Sequence, residues 1–274
     1  MDGKDLVKKV KEDKVKFISL QFTDVMGAVK SLDMPVRHLE DVAKDGAWFD
    51  GSSVEGFARI QESDMRLKID PDTYTVLPWS ADDSKRARVF CDIYTPGGEP
   101  FDGDPRGALK RILKKIADRG WMLNIGPEPE FFLFKASDGN GVHPVPHDTG
   151  GYFDFSSFDE AVVVRTALME ALDAMGLDVE VGHHEVALGQ HEIDFRFADA
   201  LKAADNVLTL KYTVKAIAAQ HGLTASFMPK PVYGINGSGM HCHQSLFDIK
   251  TGANLFFDAN DEAHLSPLAY SFIA

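Results

Sequence analysis

The chain has 274 residues, of which 44% are hydrophobic and 26% charged, so it is globular and not disordered, collagenous or coiled-coil. Its 42 acidic residues exceed its 29 basic residues by 42 − 29 = 13, which argues against nucleic acid or an anionic membrane as the main partner. The two cysteines, Cys91 and Cys242, form no CxxC motif. Neither a signal peptide nor a run of roughly 18 apolar residues is found, so we predict a cytoplasmic protein.

The first hundred residues predict a small α+β unit, mostly sheet with one or two helices across it. A shared apolar face at Leu6, Val7 and Val10 indicates the first helix, and alternation of apolar and polar residues indicates the strands. The predicted elements are a helix at 6–10, strands at 18–22 and 28–32, a helix from Pro35 to about Gly46, and strands at 74–77 and 87–94. Glycines and prolines then concentrate in TPGGEPFDGDP. We therefore predict domains at residues 1–100 and 101–274.

The second region predicts an α+β sheet domain. Asp104 followed by Pro105 is typical of a helix start, and Gly120 of a helix end. Further helices are predicted at roughly 159–175 and 199–220, and strands at 121–134, 177–185, 190–197, 224–228 and 240–247. The chain stops at SPLAYSFIA, within what looks like another helix.

Two glutamates lie in a strand that is otherwise apolar, GPEPEFFLF. Alternation places Glu128 and Glu130 on one face with Phe132 and Phe134, the two carboxylates about 7 Å apart. Like charges on a core-facing strand repel each other and resist desolvation, so they need a cation or must lose a charge. The alternative is an edge strand whose glutamates face water.

A second polar cluster occupies a predicted hairpin, VEVGHHEVALGQHEIDFRF, which turns around residues 187–189. Its acids and histidines are Glu180, Glu185, Glu192, His183, His184 and His191. Because neither HExxH nor a Cys/His ligand set is present, zinc is not indicated, and the histidines could be secondary to the site or exposed. A solvated charged face explains this hairpin about as well.

A third cluster, NGSGMHCHQSLF, has a polar row on one face of a strand. Period two places His241, His243 and Ser245 on one face, and Met240, Cys242 and Leu246 on the other. The glycines of loop 236–239 let backbone amides approach a ligand closely, although they are equally typical of an ordinary turn.

Together the three clusters provide four or more carboxylates and one or two imidazoles from strands of one sheet. Such an oxygen-rich set suits Mg²⁺ or Mn²⁺, and two such ions could share the site. That arrangement is typical of phosphoryl transfer, and the absence of GxxxxGK[ST] means that a Walker loop does not hold the nucleotide. The residues alone therefore predict a metal-dependent site consistent with ATP chemistry.

These clusters, in this order, resemble the bacterial type I glutamine synthetase family. The resemblance rests on FDGSSVEGFARIQESDM, GPEPEFFLF, HHEVALGQHEIDF, KPVYGINGSGMHCHQSLF and the strand pair around Thr23 to Val29. It implies a small β-grasp N-terminal domain, an incomplete catalytic α+β sheet domain, and a homododecamer of two stacked hexameric rings. In such rings each site lies between neighbouring subunits.

The resemblance also implies ligands for two metal ions. Glu130, Glu185 and Glu192 would hold one Mg²⁺ or Mn²⁺, which helps to bind glutamate and its developing γ-glutamyl phosphate. Glu128 and His241 would hold the other, which orients the ATP phosphates.

The same resemblance implies the substrate contacts. Positions that contact the nucleotide are Glu180, His243, Gln244 and Ser245. Asn236 and Gly237 match the loop that contacts glutamate. Asp50, in WFDGSS, matches an acid that a neighbouring subunit contributes to bind and deprotonate ammonium. By itself Asp50 is typical of a turn before Gly51.

The implied reaction is ATP-driven glutamine synthesis in nitrogen assimilation. The γ-carboxylate of L-glutamate attacks the γ-phosphate, and ammonia then displaces phosphate from the acyl phosphate. The family continues beyond residue 274 with arginines that grip glutamate and phosphate, a flap glutamate and the last ligand of the second metal. We therefore expect the 274 residues alone to be crippled or inactive.

Three alternatives remain open. A γ-glutamyl ligase that uses another amine would share the metal strands, although Asp50 within an intact DGSS favours ammonia. A non-catalytic relative should have lost metal ligands, and those that this chain could contain are present. A metal-dependent hydrolase is separable by whether ATP consumption requires glutamate and ammonia.

Overall fold

A computed structural model describes residues 1–54, 64–136, 144–155 and 161–274. The chain divides into two compact units, Met1–Ile112 and Leu113–Ala274. None of the helices in these described ranges is both long and apolar enough to cross a bilayer.

The first unit contains a sheet with helices packed on it. Its elements are α1 Gly3–Glu12, β1 Phe17–Thr23, β2 Val29–Pro35, α2 Leu39–Asp45, β3 Ala47–Asp50, β4 Asp64–Ile69, β5 Thr75–Val76 and β6 Arg86–Tyr94, together with the start of α3 Pro105–Ala117. The strand order is β2-β1-β6-β4-β3, with β5 also paired to β6. Only β1 and β6 pair in parallel among these described strands. Leu6, Ile18 and Leu67 are fully buried in the core of this unit.

The predicted helices and strands of this unit are largely present, with two differences. Pro35 does not open a helix: it ends β2, a single 3₁₀ turn follows at Val36–His38, and α2 begins at Leu39. Strands β3 and β4 were not predicted. The predicted helix start at Asp104 is confirmed, because its carboxylate accepts a hydrogen bond from the Arg106 backbone N–H at 3.1 Å.

The second unit is built around one long strand. Its elements are the end of α3, β7 Trp121–Lys135, α4 Val162–Ala174, β8 Val179–His184, β9 Gln190–Phe195, β10 Ala198–Asp199, α5 Ala200–Gln220, β11 Leu223–Ser226, β12 Met240–Asp248 and α6 Pro267–Ile273. Strand β7 pairs antiparallel with β9, β10, β11 and β12, and β8 pairs with β9. The predicted start of α4 near residue 159 lies outside the described residues. Helix α6 confirms the helix predicted at the end of the chain.

The register of β7 sets the positions of the polar residues. Glu128 lies opposite His241 of β12, and Glu130 lies opposite Glu192 of β9. Since directly opposed residues of an antiparallel pair project to the same face, these side chains share one face of the sheet. Strand β7 is therefore central at this point, and the alternative of a water-facing edge strand is wrong.

Candidate metal centre

A half-buried cluster of carboxylates lies where β7, β8 and β9 meet. His183 Nε2 is 3.2 Å from Glu192 Oε2, and His183 Nδ1 is 3.8 Å from Glu185 Oε1. One potential ligand atom from each of these three residues falls within 4.8 Å of the others. Glu130 joins them through its pairing with Glu192. Three of the predicted ligands, Glu130, Glu185 and Glu192, thus converge on one face.

Burial and mutual repulsion disfavour the ionised forms of the carboxylates in this cluster. Burial, together with Asp194, Glu130 and Glu185, raises the pKa of Glu192 from 4.5 to about 8. Burial and the charge of Glu185 likewise raise the pKa of Glu130. Without a cation Glu192 therefore holds a proton at neutral pH, and a divalent ion bound among these carboxylates would relieve the repulsion. The donor set, carboxylate oxygens with one imidazole, suits Mg²⁺ or Mn²⁺.

Two members of the cluster were not singled out as ligands from the sequence. His183 is half-buried, its ring touched edge-on by Phe153 at a centroid distance of 4.7 Å. Asp194 follows Glu192 by two residues on β9, and its Oδ1 is buried without a hydrogen-bond partner among the described residues. Period two along a strand could have indicated both, because His183 lies two residues before Glu185 and Asp194 lies two residues after Glu192.

The second pair of predicted ligands lies at the open end of this face. Glu128 Oε2 is 3.5 Å from His241 Nδ1, and Glu128 Oε1 is 2.8 Å from His243 Nε2. The imidazoles are 76% and 73% exposed, so this end is accessible to a large ligand. Gln244 and Ser245 continue along β12, and Glu180 is exposed on β8.

The predicted glutamate loop is held close to the cluster by its glycines. The backbone N–H of Ser238 donates to the Pro229 carbonyl at 2.8 Å. A Cβ on Gly237 would lie 2.2 Å from that carbonyl oxygen, so a side chain cannot be accommodated there without moving the backbone. Asn236 is exposed beside it.

Asp50 ends β3 in the first unit, whereas the other predicted site residues belong to the second. Its carboxylate accepts hydrogen bonds from the hydroxyl of Ser52 at 2.6 Å and from the Ser52 backbone N–H at 2.8 Å. These bonds lower the pKa of Asp50, so it is ionised at neutral pH. The side chain is exposed, and the rest of its motif, residues 55–63, lies outside the described residues.

A second group with potential ligands is buried beneath the hairpin but is unsuited to a metal. His147 Nε2 lies 3.1 Å from His191 Nε2 and 3.0 Å from Asp148 Oδ2. Arg165, which can only donate, contacts His191 Nδ1 at 3.2 Å. Burial, His184 and Arg165 hold the pKa of His191 well below 6.5, so its single proton is on Nε2. That protonated nitrogen has no lone pair for a cation.

Family comparisons agree with this geometry. The profile described as glutamine synthetase, catalytic domain, matches residues 102–274, and the glutamine synthetase beta-Grasp domain matches residues 14–96. A glutamine synthetase of Staphylococcus aureus strain MW2 is 50% identical over 271 residues, which cover 98% of this chain and 60% of that protein. One of Methanosarcina mazei is 51% identical with the same coverage. The chain thus spans about 60% of the length of these curated relatives.

Solved structures give the same result. The GmaS/ADP complex superimposes with a TM-score of 0.89 at 32% identity, covering 98% of this chain and 61% of that one. The Plasmodium falciparum glutamine synthetase superimposes with a TM-score of 0.90 at 25% identity, covering 100% of this chain and 59% of that one. The β-grasp and catalytic α+β assignments are therefore confirmed. This chain belongs to the glutamine synthetase family.

Proposed function

We propose that this chain is part of a glutamate–ammonia ligase, which forms glutamine from L-glutamate, ammonia and ATP through a γ-glutamyl phosphate. The observation that carries the proposal is the convergence of Glu130, Glu185 and Glu192, with carboxyl pKa values raised for Glu130 and Glu192. Carboxylates in a site for anionic glutamate and ATP would repel both substrates unless cations were bound between them. The cluster therefore suits such a site when it holds metal ions.

Two cations, Mg²⁺ or Mn²⁺, would bind along this face. Glu130, Glu185 and Glu192 would hold the first, with His183 beside them, and Glu128 and His241 would hold the second. When bound, the ions would offset the repulsion between the glutamate carboxylate and the phosphates. The protein's own groups would then mainly orient the reactants.

The substrates would surround these ions. Residues 243–245 of β12 and Glu180 would contact ATP, and the GmaS/ADP complex, whose name includes a nucleotide, supports this proposal. Asn236 and the backbone of Gly237 would bind glutamate. Ionised Asp50 would bind ammonium and accept its proton, in the site of a neighbouring subunit of a cytoplasmic homododecamer.

The test is phosphate release from ATP with Mg²⁺, assayed with glutamate and ammonium, with each omitted, and with a small primary amine in place of ammonium. The chain is compared with a version extended by its downstream codons. We expect release from the extended chain only when both substrates are present, and little or none from the 274 residues alone. Glu130→Gln should abolish it, whereas Glu170→Gln, on the exposed side of α4, should not.

Other outcomes identify the rival functions. ATP consumption without glutamate or ammonium would indicate a hydrolase. Release that requires the amine instead of ammonium would indicate a different γ-glutamyl ligase. An extended chain that folds and binds Mn²⁺ but releases no phosphate would indicate a non-catalytic relative.

A further inference from the structure

Gln190 is a buried amide between the carboxylate cluster and the glutamate loop. It opens β9, lies opposite Phe132 of β7, and is 1% exposed. Its side chain makes no contact with water, so its carbonyl and both amide hydrogens need partners inside the protein.

The orientation of the amide follows from its neighbours. The backbone N–H of Ala187 points at one end of the side chain at 3.1 Å, and a donor there requires the amide oxygen. The nitrogen therefore faces the other way, towards Glu130 and the loop.

The two amide hydrogens are divided between two parts of the site. Gln190 Nε2 donates to Glu130 Oε2 at 2.6 Å and to the carbonyl oxygen of Gly237 at 3.0 Å. One nitrogen atom thus joins a predicted metal ligand to the backbone predicted to bind glutamate.

The loop is attached to Glu130 at a second point. The Gly239 carbonyl accepts from the Glu130 backbone N–H at 3.2 Å, and the Gly239 backbone N–H donates to the Glu130 carboxylate. A Cβ on Gly239 would lie 3.1 Å from Glu130 Oε1. A shift of the Glu130 carboxylate would therefore displace the loop backbone in two ways. It would press on Gly239 directly, and it would move the Gln190 amide that holds Gly237.

We propose that Gln190 is a positioning residue that couples metal binding at Glu130 to the order of loop 236–239. This inference rests on the proposed function only in taking Glu130 as a metal ligand. A cation fixes the Glu130 carboxylate, the carboxylate fixes the Gln190 amide, and the amide holds the Gly237 carbonyl. Metal binding would thereby prepare the glutamate loop before glutamate arrives.

The experiment uses the 274-residue chain and Mn²⁺ alone. Mn²⁺ affinity is measured by electron paramagnetic resonance, and hydrogen exchange of segment 229–239 is followed by mass spectrometry with EDTA and with saturating Mn²⁺. In the unmodified chain we expect Mn²⁺ to slow exchange of this segment about tenfold, because the Ser238 amide donates to Pro229 within it and the Gly239 amide donates to the Glu130 carboxylate.

Two variants test the hydrogen bonds that the Gln190 amide donates to Glu130 and to Gly237. Gln190→Met removes both, and should weaken Mn²⁺ binding about tenfold, the usual effect of losing a group that orients a ligand, and remove the Mn²⁺-dependent protection. Gln190→Glu donates at most one hydrogen, so it should lose the protection, whereas its added negative charge beside Glu130 favours the cation and should retain Mn²⁺ binding. Gln21→Met, at a buried glutamine of β1 in the first unit, controls for loss of a buried amide.

The outcomes are distinguishable. If the unmodified chain binds no Mn²⁺, the metal assignment of the proposed function fails. If it binds Mn²⁺, and either variant that retains native circular dichroism shows full Mn²⁺-dependent protection of 229–239, the coupling role of Gln190 is overturned while the metal site stands. If Gln190→Met does not fold, Gln190→Glu tests the coupling role, because it preserves the size of the side chain.

Discussion

Burial and neighbouring carboxylates, led by Asp194, raise the pKa of Glu192 from 4.5 to about 8 in the metal-free protein. Between these two pH values the folded chain binds more protons at this group than the unfolded chain. The free energy of unfolding therefore falls as the pH rises from about 4.5 to about 8. We expect Glu192→Gln to raise it by about 1–3 kcal/mol at pH 8.5 in EDTA, and by much less at pH 5.

Urea denaturation at both pH values measures this effect. Glu170→Gln is the matched control, since Glu170 lies exposed in the same unit and should change stability by less than about 0.5 kcal/mol at either pH. Glu192→Gln should also bind Mn²⁺ more weakly than the unmodified chain. An equal effect of Glu192→Gln at pH 5 and pH 8.5 would contradict the raised pKa.

Single residues of the site differ in how far the sequence predicts them. Alternation on β7 is enough to place Glu128 and Glu130 on one face, because period two is a property of any strand. Gln190 carries no such signal: a neutral amide in a strand becomes notable only when the register of β9 against β7 is known. The exclusion of metal at His191 likewise depends on Arg165, which is distant in sequence.

At the scale of elements, the turn between β8 and β9 sets the spacing of the carboxylates, and Gly189 makes it possible. Its φ is +68°, and a Cβ would lie 2.7 Å from the Leu133 carbonyl oxygen. Its backbone N–H also donates to Asp148 Oδ1 at 2.9 Å. We expect Gly189→Ala to lower the free energy of unfolding by about 2–3 kcal/mol and to weaken Mn²⁺ binding.

Thermal or urea unfolding, with Mn²⁺ titration, checks this prediction. Gly97→Ala is the control, because the nearest atom to its added Cβ is the Thr95 hydroxyl at 3.8 Å and its φ is not positive. Wild-type stability of Gly189→Ala would mean that the turn relaxes without cost.

The start of α3 is anchored to the first unit by a buried cation. Arg106 is 6% exposed and donates to Asp70 at 2.8 Å and Asp92 at 2.7 Å. We expect Arg106→Met to lower the free energy of unfolding by about 3–5 kcal/mol, because it removes a buried cation from two partly buried carboxylates and leaves them to the partly exposed Lys110. Arg111→Met, at an exposed position of the same helix, should cost less than about 1 kcal/mol by urea denaturation.

This anchor also bears on the domain limit. The division by contacts falls after Ile112, within α3, whereas glycines and prolines predict a limit near residue 100. Glycine and proline content indicates where the chain turns and not where the packing changes. It therefore could not indicate that Arg106 joins the start of α3 to the first unit. Comparable stability losses for Arg106→Met and Arg111→Met would show that the helix start is not anchored in this way. The limit at 100 and 101 stays a prediction.

Some strands and one helix boundary also differ from the sequence predictions. Strand β3 has four residues and β10 has two, too few for a period to be recognised, whereas β4 has six residues whose alternation could have predicted it. Helix α2 begins later than predicted because Pro35 suits the extended end of β2 as well as a first helical turn.

At the scale of the whole molecule, we propose that Asp50 completes the active site of a neighbouring subunit. This origin can be tested by mixing two inactive variants of the extended chain, Asp50→Asn and Glu130→Gln. Each alone lacks one half of every site. In a ring assembled at random from equal amounts, roughly one quarter of the interfaces combine an intact Asp50 with an intact Glu130.

Co-expression with two different affinity tags and sequential purification would isolate the mixed oligomers. We expect roughly one quarter of the wild-type rate of glutamate- and ammonium-dependent phosphate release from them, and almost none from either variant alone or from the two combined after assembly. If each subunit supplied its own Asp50, no mixed oligomer would contain an intact site. The mixture would then be as inactive as its parts, and the proposal of sites between subunits would be wrong.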